Sequence, residues 1–318
     1  MYYLGIDVGG MSLKAGLVDE NGRLLDTASV AVDVRHDDFA GYLTAEMAGL
    51  ADRLLERHQL TKADIPYVGA GLPGPVDPEK GLFLLAPNMP LERAPLSKLY
   101  EEYCGVPLFL GNDANCAALG EYIAGAGKQY RSLVLITLGT GVGTGIILDG
   151  KMWIGCNGAG GEGGHMMIRP DGWQCGCGRR GCFETYASAS GLMRMAINQM
   201  LSHKDSALWE TAGGSLDGVT GRSVFKAAET GDSAALEALD EYTGYLADGI
   251  LNIINLLQPE VIALGGGISH ASDELLLKPL REKLAGRDMA KYSEPKCRVV
   301  KATLGNDAGI IGAAMLKR

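Results

Sequence analysis

Positive charge is in short supply in this sequence: 29 lysines and arginines face 38 aspartates and glutamates, a net charge of −9 over 318 residues. Affinity for a nucleic-acid backbone comes largely from clustered Lys and Arg. The balance therefore argues against nucleic-acid binding as a main activity and leaves a small phosphorylated ligand open. The chain opens MYYLGID, with no basic leader and no apolar run behind one, so neither a signal peptide nor a transit peptide is expected. Long apolar stretches are missing as well. The longest uncharged one, Ser132 to Leu148, is interrupted by Gly139, Gly141, Gly143 and Gly145 and reads as strand and loop, not as a membrane span. The cysteines number seven, an odd count that fits a reducing cytosol better than an export pathway, and the expected location is cytoplasmic. What remains is ordinary for a globular chain, 47% apolar and 21% charged, with length enough for two domains that each bury a core.

Against that background, the segment from Gly158 to Glu184, GAGGEGGHMMIRPDGWQCGCGRRGCFE, stands out. His165, Cys175, Cys177 and Cys182 offer one imidazole and three thiolates at short spacing, the ligand set of a closed tetrahedral Zn²⁺ site. A disulfide or small apolar packing is the alternative, but Gly176, Gly178 and Gly181 suit a chain bending tightly around an ion. With no open ligand position the zinc is expected to be structural. Glu162 and Glu184 flank the ligands, and carboxylates on a pinned loop suit the hydroxyls of a sugar, since they accept hydrogen bonds from OH donors.

Two glycine-rich hairpins lie upstream. The first has a strand over 2–8 ending at Asp7, then Gly9 and Gly10, a return strand from Ser12 to Val18 and an Asn21-Gly22 turn. Such glycines let backbone N–H groups approach a phosphate, and the carboxylate can position a hydrated Mg²⁺; the bland reading is simply a turn. The second, LVLITLGTGVGTGIILDG, repeats the arrangement, with Gly139, Thr140 and Gly141 at the turn. The repeat suggests two related lobes facing one another across a cleft, with both loops on one polyphosphate. Between the hairpins the pattern predicts a helix from about Asp38 to His58, a strand from Tyr67 to Leu72, and a loop APNMP in which Asn88 either faces a ligand or serves the scaffold. A strand from Val106 to Leu110 then runs into GNDAN and a helix from Ala114 to Ala124. Asp113 sits at that strand end, either facing a ligand, as residues there do in open α/β sheets, or capping the helix.

After the cysteines, residues 185–201 read as one helix, 202–221 as surface connection, and 236–257 as a long helix stopped by Pro259. A strand from Val261 runs into Gly265, Gly266 and Gly267, which could admit an adenosine, with a helix from about Ser272 beyond. A strand near 299–303 and a helix over 307–317 close the chain.

Taken together, DVGG at 7–10, GNDAN at 111–115, LGTGVGTG at 138–145, GGEGGH at 160–165, CGCGRRGCFE at 175–184 and LGGG at 264–267 resemble the ROK family of bacterial sugar kinases and related repressors. The resemblance implies a two-lobed actin-like, ribonuclease-H-like α/β ATPase fold with a central active-site cleft. It implies lobes of 1–112 plus 305–318 and of 113–304, and a homodimer. It further implies Asp113 as catalytic base and Asn88, Asn112, Asp113, Glu162, His165 and Glu184 as sugar contacts, with ATP and Mg²⁺ as donor and cofactor. His165 would coordinate zinc through one ring nitrogen while its ring faces the sugar. Met11 stands where the family's first phosphate loop usually carries threonine, with Ser12 and Lys14 as the replacements at hand. The run Glu184-Thr-Tyr-Ala-Ser is most similar to the glucokinases, with kinases of N-acetylmannosamine, N-acetylglucosamine or fructose as alternatives. Family repressors carry a helix-turn-helix ahead of the first hairpin, which here begins at residue 2, so a regulatory role is the lesser expectation.

Overall fold

A computed structural model describes residues 1–86 and 89–318. Asn88 lies outside the described residues. In chain order the elements are β1 (Tyr2–Val8), β2 (Ser12–Asp19), β3 (Leu24–Ala31), α1 (Phe39–Arg57), β4 (Val68–Leu72), the short β5 (Val76–Asp77), β6 (Leu82–Leu85) and β7 (Glu92–Ala94), then α2 (Leu96–Cys104), β8 (Leu108–Asn112) and α3 (Asp113–Ala124). There follow β9 (Leu133–Leu138), β10 (Val142–Leu148), β11 (Lys151–Met152), α4 (Phe183–Ala187), α5 (Ala189–Ser202), α6 (Ala207–Thr211), α7 (Gly221–Glu229), α8 (Ser233–Leu257), β12 (Val261–Gly265), α9 (Leu277–Leu284), β13 (Arg298–Lys301) and α10 (Asp307–Ala314).

The chain divides into two compact units, 1–135 with 145–161 and 302–318, and 136–144 with 162–301. This line differs from the expected one at 112/113, because α3 packs along α10, which belongs to the first unit. The first sheet has the order β3-β2-β1-β4-β8, with β2 antiparallel to both its neighbours, β1 and β3, and with β4 and β8 parallel to β1. Period-two alternation sends Leu4, Ile6 and Val8 to one face, against Leu43, Met47, Leu50 and Leu54 of α1. Tyr3 on the opposite face meets Ile311, Ala314 and Met315. Each such fully buried side chain contributes about 1.5–3 kcal/mol. β1 and β4 carry Gly5 and Gly69 where α10 lies directly on the sheet, and a side-chain carbon at either position would strike the carbonyls of Ile310 or Ala313.

A second sheet has the order β11-β10-β9-β12-β13. In the second unit α8 is the longest helix, its start capped by the Asp232 carboxylate accepting from the Ala235 N–H at 2.9 Å. No described helix is long and apolar enough to cross a membrane.

Three elements differ from expectation. The helix read over 185–201 is two helices, because Ser188 is extended and its hydroxyl accepts from the Gly191 N–H at 3.1 Å, capping a new start. The connection at 202–221 contains α6 and leads straight into α7, which the polar composition concealed. Beyond the triple glycine a 3₁₀ turn spans Gly267–His270, and α9 begins only at Leu277.

Candidate active site and metal centre

Asp113 is not the helix cap. That task falls to Asn112, whose Oδ1 accepts from the Asn115 N–H at 3.1 Å and whose Nδ2 donates to the Gly74 carbonyl at 3.2 Å. Asn112 thus fixes the corner between β8 and α3, and Asp113 is left as the first helical residue, with Oδ1 accepting from the Ala114 N–H at 2.8 Å. Its residue surface touches solvent, yet burial among surrounding protein atoms raises the carboxyl above its ordinary value, with the Ala114 N–H and the Asn112 side chain opposing. The group is open to water, so the raised value reflects crowding by surrounding protein atoms and not sequestration. Asp7 is the penultimate residue of β1, two strands away in the same parallel array. Burial raises its carboxyl, the negative charge of Asp113 raises it further, and the Lys14 ammonium across the ladder lowers it. The structure therefore brings Asp7, Lys14 and Asp113 together at the carboxyl ends of β1 and β8. Between β1 and β2, the Gly9 N–H donates to the Ser12 carbonyl at 2.9 Å, while Met11 projects 85% exposed and Gly10 forms the bend.

In the second unit the metal candidates converge. The ligand atoms of His165, Cys175, Cys177 and Cys182 all lie within 4.8 Å of one another, with Cys175 Sγ 3.7 Å from His165 Nδ1 and Cys177 Sγ 3.7 Å from Cys182 Sγ. A zinc tetrahedron with the usual Zn–S and Zn–N bonds has edges of about 3.5–3.8 Å, so the donor set fits the ion. Chemistry agrees: burial and then the neighbouring thiols raise Cys182, and burial raises Cys175, whereas the Arg179 backbone N–H lowers Cys177. Three crowded thiols do not ionise together unaided, and a divalent cation bound among them would supply the missing charge. Cys182 exposes none of its surface. The loop is built from backbone pairs, Cys175 N–H to the Arg179 carbonyl at 2.8 Å, Gly181 N–H to Trp173 at 2.8 Å and Phe183 N–H to Met166 at 2.8 Å. Trp173 anchors it by stacking on Tyr186 at 4.5 Å with Arg194 over its other face at 4.2 Å.

Around this loop, Glu162 precedes a 3₁₀ turn ending at His165; its carboxylate is exposed and has no hydrogen-bond or ion-pair partner among the described residues. His165 turns Nδ1 to the cysteines, which leaves Nε2 for another partner. Glu184 lies in the first turn of α4, with Oε2 accepting from the Val142 N–H at 3.0 Å.

The glycine-threonine turn borders a cavity of about 720 Å³, a volume suited to a nucleotide. Gly139, Thr140 and Gly267 line it, together with Ile268 and one face of α7. Of the triple glycine, Gly265 ends the buried β12 strand and Gly266 packs on the Leu138 backbone, so only Gly267 borders the cavity. The sequence reading missed Arg222, Phe225, Lys226 and Glu229, which recur at helical spacing on the α7 face toward the cavity. The available signal was Thr220, which caps α7 through the Ser223 N–H at 3.0 Å, followed by the spacing of Val224, Ala227 and Ala228.

An α/β fold with two glycine-rich turns, carboxylates with raised pKa at strand ends and a nucleotide-sized cavity defines a phosphotransferase-type ATPase architecture of the actin class. The chain belongs to the ROK family, which it matches over residues 3–318. It is 38% identical to a glucokinase of Halalkalibacterium halodurans, covering 99% of this chain and 94% of that one. It is 31% identical to an N-acetyl-D-glucosamine kinase of Aliivibrio salmonicida, covering 99% of each. Among solved structures, a ROK family glucokinase from Streptomyces griseus in complex with glucose and AMPPNP superposes with a TM-score of 0.80 at 35% identity, covering 99% of both chains.

Proposed function

We propose that this protein is an ATP-dependent glucokinase, transferring the γ-phosphoryl group to the 6-hydroxyl of glucose. The observation that carries the reading is Asp113, a solvent-accessible carboxyl with a raised pKa, at the end of β8, that the helix does not need as a cap. Similarity to glucokinases at up to 38% identity over nearly the whole chain supports the sugar, with the N-acetylglucosamine kinase at 31% a weaker match.

In this reading Asp113 takes the proton of the attacking hydroxyl, a contribution of typically 10²–10⁴-fold. Asn112 holds the corner that aims it, and Glu162, His165 through Nε2, and Glu184 accept or meet the sugar's other hydroxyls. Asp7 would hold the hydrated Mg²⁺ that accompanies ATP, which would supply charge stabilisation to the phosphates. The loops at Gly9-Gly10 and Gly139–Gly141, with the Thr140 hydroxyl, hold the phosphates, and Ser12 and Lys14 stand in for the missing loop threonine. The adenosine takes the cavity lined by Gly267 and α7. His165, Cys175, Cys177 and Cys182 hold zinc, whose role is to fix the loop. A homodimer in the cytoplasm is the state we assign on family resemblance and cysteine usage.

The test is kcat/KM with ATP and Mg²⁺ for glucose, N-acetylglucosamine and N-acetylmannosamine. Glucose is expected to exceed both by at least tenfold, because a pocket that hydrogen-bonds particular hydroxyls discriminates strongly. A higher value for either acetylated sugar would overturn glucose as substrate and leave the kinase assignment standing.

A further inference from the structure

The second glycine-rich loop is held by the two chain segments that flank the metal ligands. On the side preceding His165, the Gly163 N–H donates to Thr144 Oγ1 at 2.8 Å. A side-chain carbon on the next residue, Gly164, would strike the Val142 carbonyl, so the two backbones are in direct contact there. On the side following Cys182, Glu184 Oε2 accepts from the Val142 N–H at 3.0 Å while Oε1 lies 3.8 Å from Cys175 Sγ. A few residues on, the Ala189 N–H donates to the Gly139 carbonyl at 2.8 Å and the Ser190 hydroxyl to the Thr140 carbonyl at 3.1 Å. Within the loop, the Gly139 N–H donates to the Gly141 carbonyl at 3.0 Å, and Thr137 Oγ1 accepts from the Gly143 N–H at 3.2 Å and donates to the Gly143 carbonyl at 3.4 Å.

A loop rich in glycine loses much conformational freedom when it orders around a phosphate, and bonds made beforehand remove that cost from binding. We propose that the Cys₃His site controls nucleotide affinity. Zinc holds the segments on either side of the ligands, and Thr144, Glu184 and Ser190 pass that rigidity to residues 139–144. The proposal rests on reading 139–144 as a phosphate loop. Thr144 and Ser190 act here as positioning residues. Because coupling free energies are reciprocal, nucleotide must then tighten zinc by the factor by which zinc tightens nucleotide.

The experiment uses the zinc-loaded full chain without sugar. The dissociation constant of a β,γ-imido ATP analogue with Mg²⁺ is measured by calorimetry for wild type, Thr144→Val, Ser190→Ala and the double variant, with zinc content checked by metal analysis. Each single variant is expected to keep one zinc per chain and bind the analogue about fivefold more weakly, the double variant at least tenfold. Zinc affinity is measured in parallel by competition with a chelator of known strength. Saturating analogue is expected to raise it at least fivefold in wild type and less than twofold in the double variant. Unchanged analogue binding in the double variant, or zinc affinity indifferent to analogue in wild type, overturns the proposal alone. Failure of wild type to bind the analogue overturns the phosphate-loop reading and the proposal with it.

Discussion

Asp113 combines three properties. It is reachable by solvent, its carboxyl is harder to ionise than usual, and the neighbouring Asn112 has relieved it of capping. A general base with these features loses activity when protonated. The acidic limb of the kcat/KM profile should therefore lie above the ordinary carboxylate value of 3.8, and activity should fall as pH drops through it. Asp113→Asn is expected to lower kcat at least about a hundredfold. Folding raises this pKa, so the folded chain holds the proton more tightly than the unfolded one. The associated stability is complete below the unfolded pKa and lost as pH rises through the folded value. The neutral asparagine escapes that loss and the repulsion from Asp7. At neutral pH the variant should melt at or above the wild-type temperature. Near-normal turnover, or a large drop in melting temperature, would count against the assignment.

The element with the clearest consequence is α7. Its buried face, Val224, Ala227 and Ala228, seats it in the second unit, and the opposite face presents Arg222, Phe225, Lys226 and Glu229 to the cavity beside Thr140. Arginine near a polyphosphate acts through charge-assisted hydrogen bonds, weakened here by its exposure to water. Arg222→Ala should raise KM for ATP by about threefold to fivefold, since an exposed pair is worth up to about 1 kcal/mol. KM for the sugar should not move, because Arg222 lies on the nucleotide cavity. Steady-state kinetics with each substrate varied in turn separates the two. A change in the sugar constant alone would show that the cavity serves something other than nucleotide.

For the molecule as a whole, the last helix completes the first unit. Ile311 is 3% exposed and packs with Tyr3, Val18 and Tyr67, and the Tyr67 hydroxyl donates to the Ala314 carbonyl at 2.9 Å. Ile311→Ala should cost about 2–5 kcal/mol, measurable by denaturant unfolding, and a cost below 1 kcal/mol would mean that α10 is not integral to that core. What the sequence determined alone was whatever depends on short spacing. The Cys₃His set between 165 and 182, the two glycine hairpins and α1, with Asp38 and His58 at its ends, were legible because their partners lie within a few turns of chain. Tertiary structure decided what depends on partners far apart in sequence. It set Asn112 and not Asp113 as the cap, split 185–201 at Ser188 and turned α7 toward the cavity. It also assigned α3 to the first unit, because α10, nearly 200 residues later, lies along it. Local pattern reports which faces are apolar, but the element that covers a face is chosen by packing, and packing partners leave no mark on the spacing of either segment.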